Sequence, residues 1–316
     1  MIEVIDAARI RAVVDLDEAT AAVEAGFAAH FAGEARLPPV GYLPFDRPRG
    51  DCHVKFGHIK DDEVFVIKVA TGFYENSQRG LPSSNGFMVV LSALTGEPRV
   101  LLDDGGYLTD LRTAIAGSVV AKYLAPKQLT RIGVLGTGTQ ARAQVELLLH
   151  RFGRRPVVVW GRDPHKAAQL AEHLRRSGYE ASAVDSPRDV CEACELIVTT
   201  TASTAPLIEA GWVRPGTHIT AVGADATGKQ ELDPEVFALA DICVVDSLEQ
   251  CVDHGETAHA VAAGVITVGE LTELGSLVAG KAKGRSDPKQ ITVADLTGVA
   301  VQDIRIAQYV WSKVRA

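Results

Sequence analysis

Features that would place this chain at a membrane, on nucleic acid or outside the cell are missing from its 316 residues. No apolar run approaches the length of a transmembrane helix, and residues 1–19 carry acids where a signal peptide needs a basic and then an apolar segment. The formal charge of −8 argues against nucleic acid and anionic membranes as partners. Five cysteines, an odd number without framework spacing, indicate a reducing compartment. We therefore expect a cytoplasmic protein whose partner is neither a membrane nor a nucleic acid.

Metal-site patterns are also missing. Cys191 and Cys194 form CEAC, but no second cysteine pair lies nearby, so they fit one face of a short helix better than a metal site. His254 and His259 in HGETAH do not have the HExxH order of zinc hydrolases. We expect no bound metal.

The hydrophobic pattern changes near residue 130, which predicts two domains. Before it, the pattern predicts a helix at 17–33, strands at 52–59, 63–70 and 86–94, and a helix at 107–124; prolines at 38, 39, 44 and 48 mark an irregular stretch. After it, short apolar runs at 131–136, 157–160, 196–201, 218–223, 242–246 and 291–298 alternate with helices or loops. That alternation predicts an α/β fold: a Rossmann-type doubly wound sheet domain over 127–299, behind an α+β N-terminal domain over 1–126 that the C-terminal helix, 300–316, rejoins.

The stretch VLGTGTQA at 134–141 has the GxGxxA spacing of a dinucleotide-binding turn between a strand and a helix. Gly136 permits the tight turn, Gly138 lets the backbone approach a pyrophosphate, and Ala141 lets helix and strand pack closely. The helix N-terminus then offers N–H groups to the phosphates. The predicted coenzyme-binding residues of this turn are Gly136, Thr137, Gly138, Thr139, Gln140 and Ala141.

The end of the next strand bears on the choice of coenzyme. NAD-specific sites usually place an acid there to hold the ribose hydroxyls, but this chain has Gly161 and Arg162 after Trp160. Arg162 could stack on adenine or pair with a 2′-phosphate, and Asp163 before Pro164 is most simply the N-cap of the next helix. These residues favour NADP(H) over NAD(H).

Lys68 lies in a strand-like run, EVFVIKVA, that is apolar on both faces. A buried ammonium needs an anionic partner or a chemical task, unless the strand is an edge strand with a lysine that reaches solvent. Lys55 occupies a similar place in CHVKFG, thirteen residues earlier.

Five segments resemble the ornithine cyclodeaminase/mu-crystallin family, in order and spacing, over nearly the whole chain. They are RGLPSSNG (79–86), LTDLRTAIAG (108–117), GTGTQA (136–141), AVGADATGKQELDP (221–234) and DLTGVAVQD (295–303). The resemblance implies that the N-terminal domain binds substrate and forms a homodimer. It also implies hydride transfer between a nicotinamide and a carbon that bears nitrogen, in a small amino or imino acid.

Site roles follow from the resemblance position by position. Lys68 matches the lysine at the substrate carboxylate or reacting centre, Arg112 matches the arginine that binds the α-carboxylate, and Asp225 matches the catalytic aspartate. A turn acid for Asp225 and a surface ion pair for Arg112 are the structural alternatives. The implied coenzyme contacts are Thr113 at the phosphates, Thr200, Thr201 and Val222 along the nicotinamide, and Thr297 and Gly298 over its ring.

Lys55 departs from the cyclodeaminase pattern, which has a glutamate at this position to hold the distal amine of the substrate. The alanine dehydrogenase branch has an arginine there, and the iminosuccinate reductase and ectoine-degradation branches have a lysine. A cation does not hold an ammonium, so Lys55 points away from cyclodeamination.

The chain is therefore predicted to be an NAD(P)H-dependent imine reductase or amino-acid dehydrogenase for a small α-imino or α-keto acid. A second carboxylate on the substrate would give both lysines a partner. The alternatives are a cyclodeaminase of a diamino acid and a non-catalytic, mu-crystallin-like binding protein. Retention of Lys68, Arg112 and Asp225 together speaks against pure binding.

Overall fold

The computed structural model describes residues 2–73 and 75–315, and the chain divides into two compact units. Unit 1 comprises Met1–Thr113 and Val299–Ala316, and unit 2 comprises Ala114–Gly298. This division falls inside the helix Tyr107–Leu124, whereas the sequence predicts the domain border after residue 126. The functional assignment of the two domains stays a prediction.

The regular elements are named here in chain order. The strands are β1 (Glu3–Asp6), β2 (Ala35–Arg36), β3 (Gly41–Phe45), β4 (Gly50–Ile59), β5 (Val64–Phe73), β6 (Ser84–Ser92), β7 (Pro98–Asp103), β8 (Ile132–Leu135), β9 (Val157–Trp160), β10 (Ala181–Ala183), β11 (Leu196–Thr199), β12 (Thr204–Ile208), β13 (His218–Ala221), β14 (Gln230–Leu232), β15 (Ile242–Val245), β16 (Leu271–Glu273) and β17 (Thr292–Asp295). The helices are α1 (Ala7–Val13), α2 (Leu16–Phe31), α3 (Tyr107–Leu124), α4 (Thr139–Phe152), α5 (Pro164–Arg176), α6 (Pro187–Ala193), α7 (Glu235–Leu239), α8 (Leu248–Asp253), α9 (Glu256–Ala262), α10 (Leu274–Val278) and α11 (Ala300–Arg315). Short 3₁₀ turns lie at Asn76–Arg79, Ala210–Trp212 and Val268–Glu270.

Unit 1 is built on a seven-stranded sheet in the order β1-β7-β6-β5-β4-β2, with β3 also paired to β4. The β1–β7 pair is parallel and the other pairs are antiparallel, so this sheet is mostly antiparallel, which fits the predicted α+β fold. Helix α2 begins where the Asp15 carboxylate accepts hydrogen bonds from the backbone N–H groups of Asp17 and Glu18, both at 3.0 Å.

The proline-rich stretch contains a strand that the sequence did not predict. Strand β3 pairs with β4 from Gly41↔Val54 to Phe45↔Gly50 and includes Pro44. Proline lacks a backbone N–H, and a strand at a sheet margin tolerates that loss because one of its sides needs no partner. The prediction of irregular structure over this stretch was therefore wrong for residues 41–45.

The two faces of the unit 1 sheet differ. One face carries the buried Val64, Val66 and Lys68 of β5, and α11 packs against it. The other face is apolar, and its large side chains are half-buried or exposed; those of Leu43, Phe45, Phe56 and Phe87 are between 38% and 56% exposed. The alternation of a strand therefore sets Lys68 on the covered face, and an edge-strand lysine that reaches solvent is excluded.

Unit 2 contains an eight-stranded sheet in the order β10-β9-β8-β11-β13-β17-β15-β16, in which every neighbouring pair is parallel. The predicted doubly wound α/β fold is confirmed. The chain moves outward from β8 to β9 and β10, and then crosses to β11 on the other side of β8. Ligands of open α/β sheets bind at the carboxyl ends of the strands where this direction reverses.

Candidate active site

The turn after β8 has the geometry of a phosphate cradle. Leu135 and Thr199 pair across β8 and β11, so Gly136 and Thr200 leave the sheet side by side. A Cβ on Gly136 would lie 2.3 Å from Thr200 Oγ1, and its φ of +129° is one that other residues rarely adopt. Gly138 is the N-cap of α4 without a side-chain cap, and a Cβ there would meet nothing within 4 Å. The first turn of α4 therefore presents backbone N–H groups to open space, which fits a pyrophosphate.

A cavity of about 300 Å³ opens beside this turn. Its lining includes the predicted residues Gly136, Thr137, Gly138, Gly161, Arg162, Thr200 and Thr201, together with Trp160, Asp163, Lys166, Ala202, Ser203 and Leu207. Thr139, Gln140, Ala141 and Val222 are not among the lining residues. Ala141 is fully buried, which agrees with the packing task of the third small residue.

The end of β9 shapes the rim of the cavity. A Cβ at Gly161 would lie 2.4 Å from Thr137 Cγ2, so a larger residue there would require the Thr137 side chain to move. Asp163 Oδ1 accepts a hydrogen bond from the His165 N–H at 2.9 Å, so the predicted N-cap of α5 is confirmed. Lys166, which the sequence interpretation did not single out, places a second cation beside Arg162 in the cavity lining.

Asp225 lies in the loop that follows β13. Its side chain is exposed, and its Oδ1 accepts a hydrogen bond from Lys229 Nζ at 2.6 Å. The ring of His259 contacts the Lys229 carbonyl oxygen at 2.9 Å, which ties this loop to α9. The loop therefore presents a carboxylate to solvent at the carboxyl end of a strand.

A buried glutamate, Glu231, joins two loops beneath this edge of the sheet. Its carboxylate accepts hydrogen bonds from Thr199 Oγ1 at 2.6 Å, from the Thr201 N–H at 2.5 Å and from the Gly223 N–H at 2.8 Å. Burial raises the pKa of Glu231 to about 7, although these bonds act to lower it.

Thr297 and Gly298 are held by Asp246. The Thr297 N–H lies 3.2 Å from Asp246 Oδ1, and the Gly298 N–H donates to Oδ2 at 2.7 Å. Gly298 has a φ of +88°, which favours glycine. Thr113, the other predicted coenzyme contact, belongs to unit 1, and its hydroxyl donates to the Thr109 carbonyl oxygen at 2.8 Å.

Unit 1 contains a buried ionic cluster that joins two of the predicted substrate residues. Lys68 Nζ donates to Asp303 Oδ1 at 3.0 Å and lies 3.0 Å from Oδ2. Arg112 Nε lies 2.9 Å from Asp303 Oδ1. Lys68, Arg112 and Asp303 are 2%, 5% and 1% exposed. Asp303 on α11 therefore supplies an anionic partner that a buried Lys68 needs. The surface ion pair considered for Arg112 is replaced by a buried one.

Gln302 and Lys55 complete the cluster. Arg112 Nη1 donates to Gln302 Oε1 at 3.2 Å, which orients the guanidinium. Lys55 of β4 pairs directly with Lys68 of β5, and side chains of directly opposed residues lie on the same face. Lys55 is half-buried, and its charge acts on both Lys68 and Asp303.

The electrostatics of the cluster are set by burial and by an excess of cations. Burial lowers the pKa of Lys68 from 10.5 to about 7; Asp303 acts to raise it, while Arg112 and Lys55 lower it. Burial opposes ionisation of Asp303, but Arg112, Lys68 and Lys55 together lower the pKa of this carboxyl below 3.8. Lys68 can therefore gain or lose a proton near neutral pH, and an anion bound beside it would favour the charged form.

Asp303 in unit 1 and Glu231 in unit 2 are two further residues that the sequence interpretation missed. Asp303 lies in the quoted segment DLTGVAVQD, among the apolar positions Val299, Ala300 and Ile304 of an amphipathic helix. An acid on an apolar helix face needs a cation, just as Lys68 on an apolar strand needs an anion. Each of these two charges lies on an apolar face and needs a partner of opposite sign, and this shared need was the sequence signal that could have paired Lys68 with Asp303.

Within residues 2–73 and 75–315, no helix is both long and apolar enough to cross a membrane. The same residues contain no group of three or more His, Cys, Asp or Glu side chains arranged to hold a metal ion.

Sequence comparison identifies relatives along nearly all of the chain. The uncharacterised cyclodeaminase y4tK of Sinorhizobium fredii is 42% identical over 302 residues, or 94% of this chain and 91% of the relative. The alanine dehydrogenase of Archaeoglobus fulgidus is 37% identical over 96% of this chain and 92% of its own. The iminosuccinate reductase of Paracoccus denitrificans is 37% identical over 79% of this chain and 78% of its own.

Solved structures share the whole fold. An archaeal alanine dehydrogenase dimer with bound NAD superposes with a TM-score of 0.91 at 35% identity, covering 99% of this chain and 96% of that one. The Thermococcus litoralis Δ1-pyrroline-2-carboxylate reductase in complex with NADH and L-proline superposes with a TM-score of 0.94 at 28% identity, covering 99% and 98%. The sequence pattern of the ornithine cyclodeaminase/mu-crystallin family matches residues 3–316, and the chain belongs to that family.

Proposed function

We propose that this protein is an NAD(P)H-dependent imine reductase or amino-acid dehydrogenase that acts on a small α-imino or α-keto acid, preferably one with a second carboxylate. The observation that carries the proposal is the buried Lys68–Asp303–Arg112 cluster with Lys55 opposite Lys68. The names of the alanine dehydrogenase and iminosuccinate reductase relatives support the reaction class. Unit 1 then binds the substrate and unit 2 binds the coenzyme.

The carboxylate of the substrate is assigned to Arg112. Asp303 lies 2.9 Å from Arg112 Nε, and Gln302 accepts a hydrogen bond from Arg112 Nη1. A guanidinium oriented in this way suits a planar carboxylate. A positioned carboxylate also fixes the α-carbon to which it is attached, and such positioning is a large part of catalysis when two reactants must meet.

Proton transfer is assigned to Asp225 and Lys68. A bound nicotinamide would supply or accept the hydride at the substrate α-carbon. Asp225 would hold the proton at the substrate nitrogen, since a carboxylate can accept or return it as that nitrogen changes charge. Lys68, whose pKa of about 7 lets it carry a proton near neutral pH, would donate a hydrogen bond to the substrate and stabilise negative charge there.

Replacement of Lys55 with glutamate tests the assignment of a second carboxylate. Lys55→Glu is expected to raise KM for oxaloacetate with ammonia by about a hundredfold, because a charge-assisted hydrogen bond is replaced by repulsion. KM for pyruvate, which has only the carboxylate assigned to Arg112, should change by less than about fivefold. The exposed Lys60, just past β4, provides Lys60→Glu as a control with the same change of charge. Equal losses for both keto acids would rule out direct recognition by Lys55.

Cyclodeamination is the second candidate, and the name of the Sinorhizobium fredii relative favours it. A cyclodeaminase releases ammonia from a diamino acid without net turnover of the coenzyme. Lys55 disfavours this reaction because a lysine beside Lys68 repels the distal ammonium of such a substrate. Ammonia released from ornithine without oxidation of NAD(P)H would select the cyclodeaminase.

The coenzyme is proposed to be NADP(H). Arg162 and Lys166 line the cavity at the end of β9, and the Asp163 carboxylate there is engaged as the cap of α5. Both solved relatives described above hold NAD or NADH, so the preference rests on this chain's own residues.

Arg162→Ala is therefore expected to weaken NADPH binding by about tenfold or more, as a charge-assisted hydrogen bond to the 2′-phosphate is lost. The affinity for NADH, measured by nicotinamide fluorescence, should stay within about threefold. Arg176→Ala at the C-terminal end of α5, where the side chain is 79% exposed, is the control. An equal loss for both coenzymes would contradict a 2′-phosphate contact.

A homodimer is proposed from the uncovered face of the unit 1 sheet. Leu43, Phe45, Phe56 and Phe87 on that face form an exposed apolar patch of the kind that a second copy of the sheet would cover. The archaeal alanine dehydrogenase relative is a dimer. Light scattering should give a molar mass twice the 33.6 kDa of one chain, and a value of one chain would refute the dimer.

The cytoplasmic location stays a prediction.

A further inference from the structure

The loop that carries Asp225 is closed at its base by one buried side chain. Gly223 and Glu231 lie at the two ends of this loop, and the Gly223 N–H donates to Glu231 Oε2 at 2.8 Å. A Cβ at position 223 would lie 2.1 Å from the Thr201 carbonyl oxygen and 2.5 Å from Glu231 Oε2, so the fit leaves room only for glycine. The position of Asp225, two residues after Gly223, therefore depends on this closure.

The same carboxylate also holds the loop that follows β11. Thr199 Oγ1 donates to Glu231 Oε2 at 2.6 Å, and the Thr201 N–H donates to Oε1 at 2.5 Å. Thr200, Thr201, Ala202 and Ser203 of this loop line the coenzyme cavity. One fully buried group thus joins the cavity wall to the base of the Asp225 loop.

Glu231 itself is anchored from α9. The Glu256 carboxylate accepts hydrogen bonds from the backbone N–H groups of Glu231 at 2.6 Å and Leu232 at 3.0 Å. The anchor fixes the backbone of β14, from which the Glu231 side chain extends to both loops. The connection therefore runs from α9 through β14 to the edge of the main sheet.

Three donors converge on Glu231, and this makes a carboxylate necessary. Both of its oxygens accept backbone N–H groups, one from Thr201 and one from Gly223. An amide in its place would direct an NH₂ group at one of these donors, which would leave that part-buried N–H without its acceptor.

We propose that Glu231 is a positioning residue that aligns the coenzyme-lining loop Thr199–Ser203 and the Asp225 loop with each other. It touches neither substrate nor coenzyme in this role and acts through Thr201 and Gly223. This role rests on the proposed function, because it concerns the coenzyme cavity and the assigned catalytic aspartate.

Glu231→Gln, compared with wild type, tests the role. We expect the Kd for NADPH or NADH, from nicotinamide fluorescence, to rise about tenfold or more, since one part-buried N–H loses its acceptor. With saturating coenzyme, kcat should fall by about tenfold while KM for the keto acid stays within about twofold. In the coenzyme-free protein, amide exchange of residues 222–229 should accelerate.

Glu195→Gln is the matched control. The Glu195 carboxylate also accepts bonds from a threonine hydroxyl and two backbone N–H groups, those of Thr130 and Arg131, but it does so at the amino end of β8. This variant should leave coenzyme Kd, kcat and exchange of residues 222–229 within about twofold of wild type.

A second variant applies if Glu231→Gln does not fold. Thr199→Val removes one of the three donors and keeps the side-chain shape, so it should raise the coenzyme Kd about threefold. Thr199→Ser restores the hydroxyl and should restore the Kd.

The outcomes separate this role from the proposed function. Wild-type protein that binds neither NADPH nor NADH would overturn the proposed function and this role with it. If the wild-type protein binds coenzyme normally and Glu231→Gln is unaffected, this role alone is overturned. Where Glu231→Gln does not fold, an unaffected Thr199→Val variant has the same meaning. Equal effects of Glu195→Gln would show a general loss of stability and would also overturn it.

Discussion

Replacing Asp303 with asparagine is expected to lower the free energy of unfolding by about 3–5 kcal/mol, the usual effect of breaking a buried ion pair by removing one partner. Lys68 and Arg112 share this carboxylate inside unit 1, and both are nearly inaccessible to water. Asp303→Asn would leave both buried cations without this carboxylate. Urea or guanidinium denaturation at neutral pH measures the difference.

The decrease in the free energy of unfolding caused by Asp303→Asn should be smaller at alkaline pH than at neutral pH. Lys68 has a pKa of about 7 in the folded protein, against 10.5 for an ordinary lysine, so the unfolded chain binds more protons between these values and stability rises with pH across that window. Asp303 raises the pKa of Lys68, so its removal lowers that pKa further; the rise then begins at lower pH, and the loss shrinks as the pH increases through about 7. The Asp303 carboxyl itself, with its pKa below 3.8, stabilises the fold above that pH and loses this effect only in stronger acid.

Asp62→Asn is the control for Asp303→Asn, since Asp62 also pairs with a cation of α11, Arg305, at 3.1 Å. Both side chains of that pair are more than 20% exposed, so its loss should amount to about 1 kcal/mol or less. Equal losses for the two variants, or a loss for Asp303→Asn that does not shrink toward alkaline pH, would contradict the buried cluster.

The second large effect is expected from Asp225→Asn. If this carboxylate handles the proton at the substrate nitrogen, kcat should fall by about 10²- to 10⁴-fold. An asparagine has nearly the same shape, and Asp225 is exposed, so neither folding stability nor coenzyme affinity should change appreciably. Stopped-flow or steady-state oxidation of NAD(P)H measures kcat, and coenzyme titration measures the affinity for the coenzyme.

Asp233→Asn provides the comparison for Asp225→Asn. Asp233 follows β14, and its Oδ1 accepts a hydrogen bond from the Glu235 N–H at 3.1 Å at the start of α7. Asp233→Asn should retain kcat within about twofold, because the Asp233 carboxylate is engaged by the Glu235 N–H. A decrease of less than about threefold for Asp225→Asn would assign the proton to another group.

The coenzyme turn could be predicted because its chemistry is local in sequence. Gly136, Gly138 and Ala141 are contiguous with the strand before them and the helix after them, so their spacing together with these elements predicts the turn. The alternation of strands and helices likewise predicted the doubly wound sheet, and the family resemblance is confirmed by the match over residues 3–316.

The ionic cluster could not be predicted in full because its parts are distant in sequence. Lys68 and Asp303 are 235 residues apart, and a single sequence shows an unpaired charge at each place without showing that they meet. Glu231 was missed for a related reason. A glutamate in a short strand looks like a surface residue until the two loops that it joins are placed above it.

Lys55 shows what a strand pattern can predict. The sequence placed Lys55 and Lys68 at similar positions in two strands, and the structure pairs them directly across β4 and β5. Two neighbouring lysines repel each other, and an anion bound near them relieves that repulsion. The direct pairing of Lys55 with Lys68 therefore supports the proposal of an acidic substrate over a diamino acid.

One assay tests the central claim most directly: oxidation of NADPH or NADH by the purified protein with pyruvate or oxaloacetate and ammonia or methylamine. We expect absorbance of the reduced nicotinamide to fall only when keto acid and amine are both present, with oxaloacetate preferred over pyruvate and an amino acid as product. No loss of absorbance across a broad panel of keto and imino acids, or ammonia release from ornithine with no net coenzyme oxidation, would contradict imine reduction by this protein.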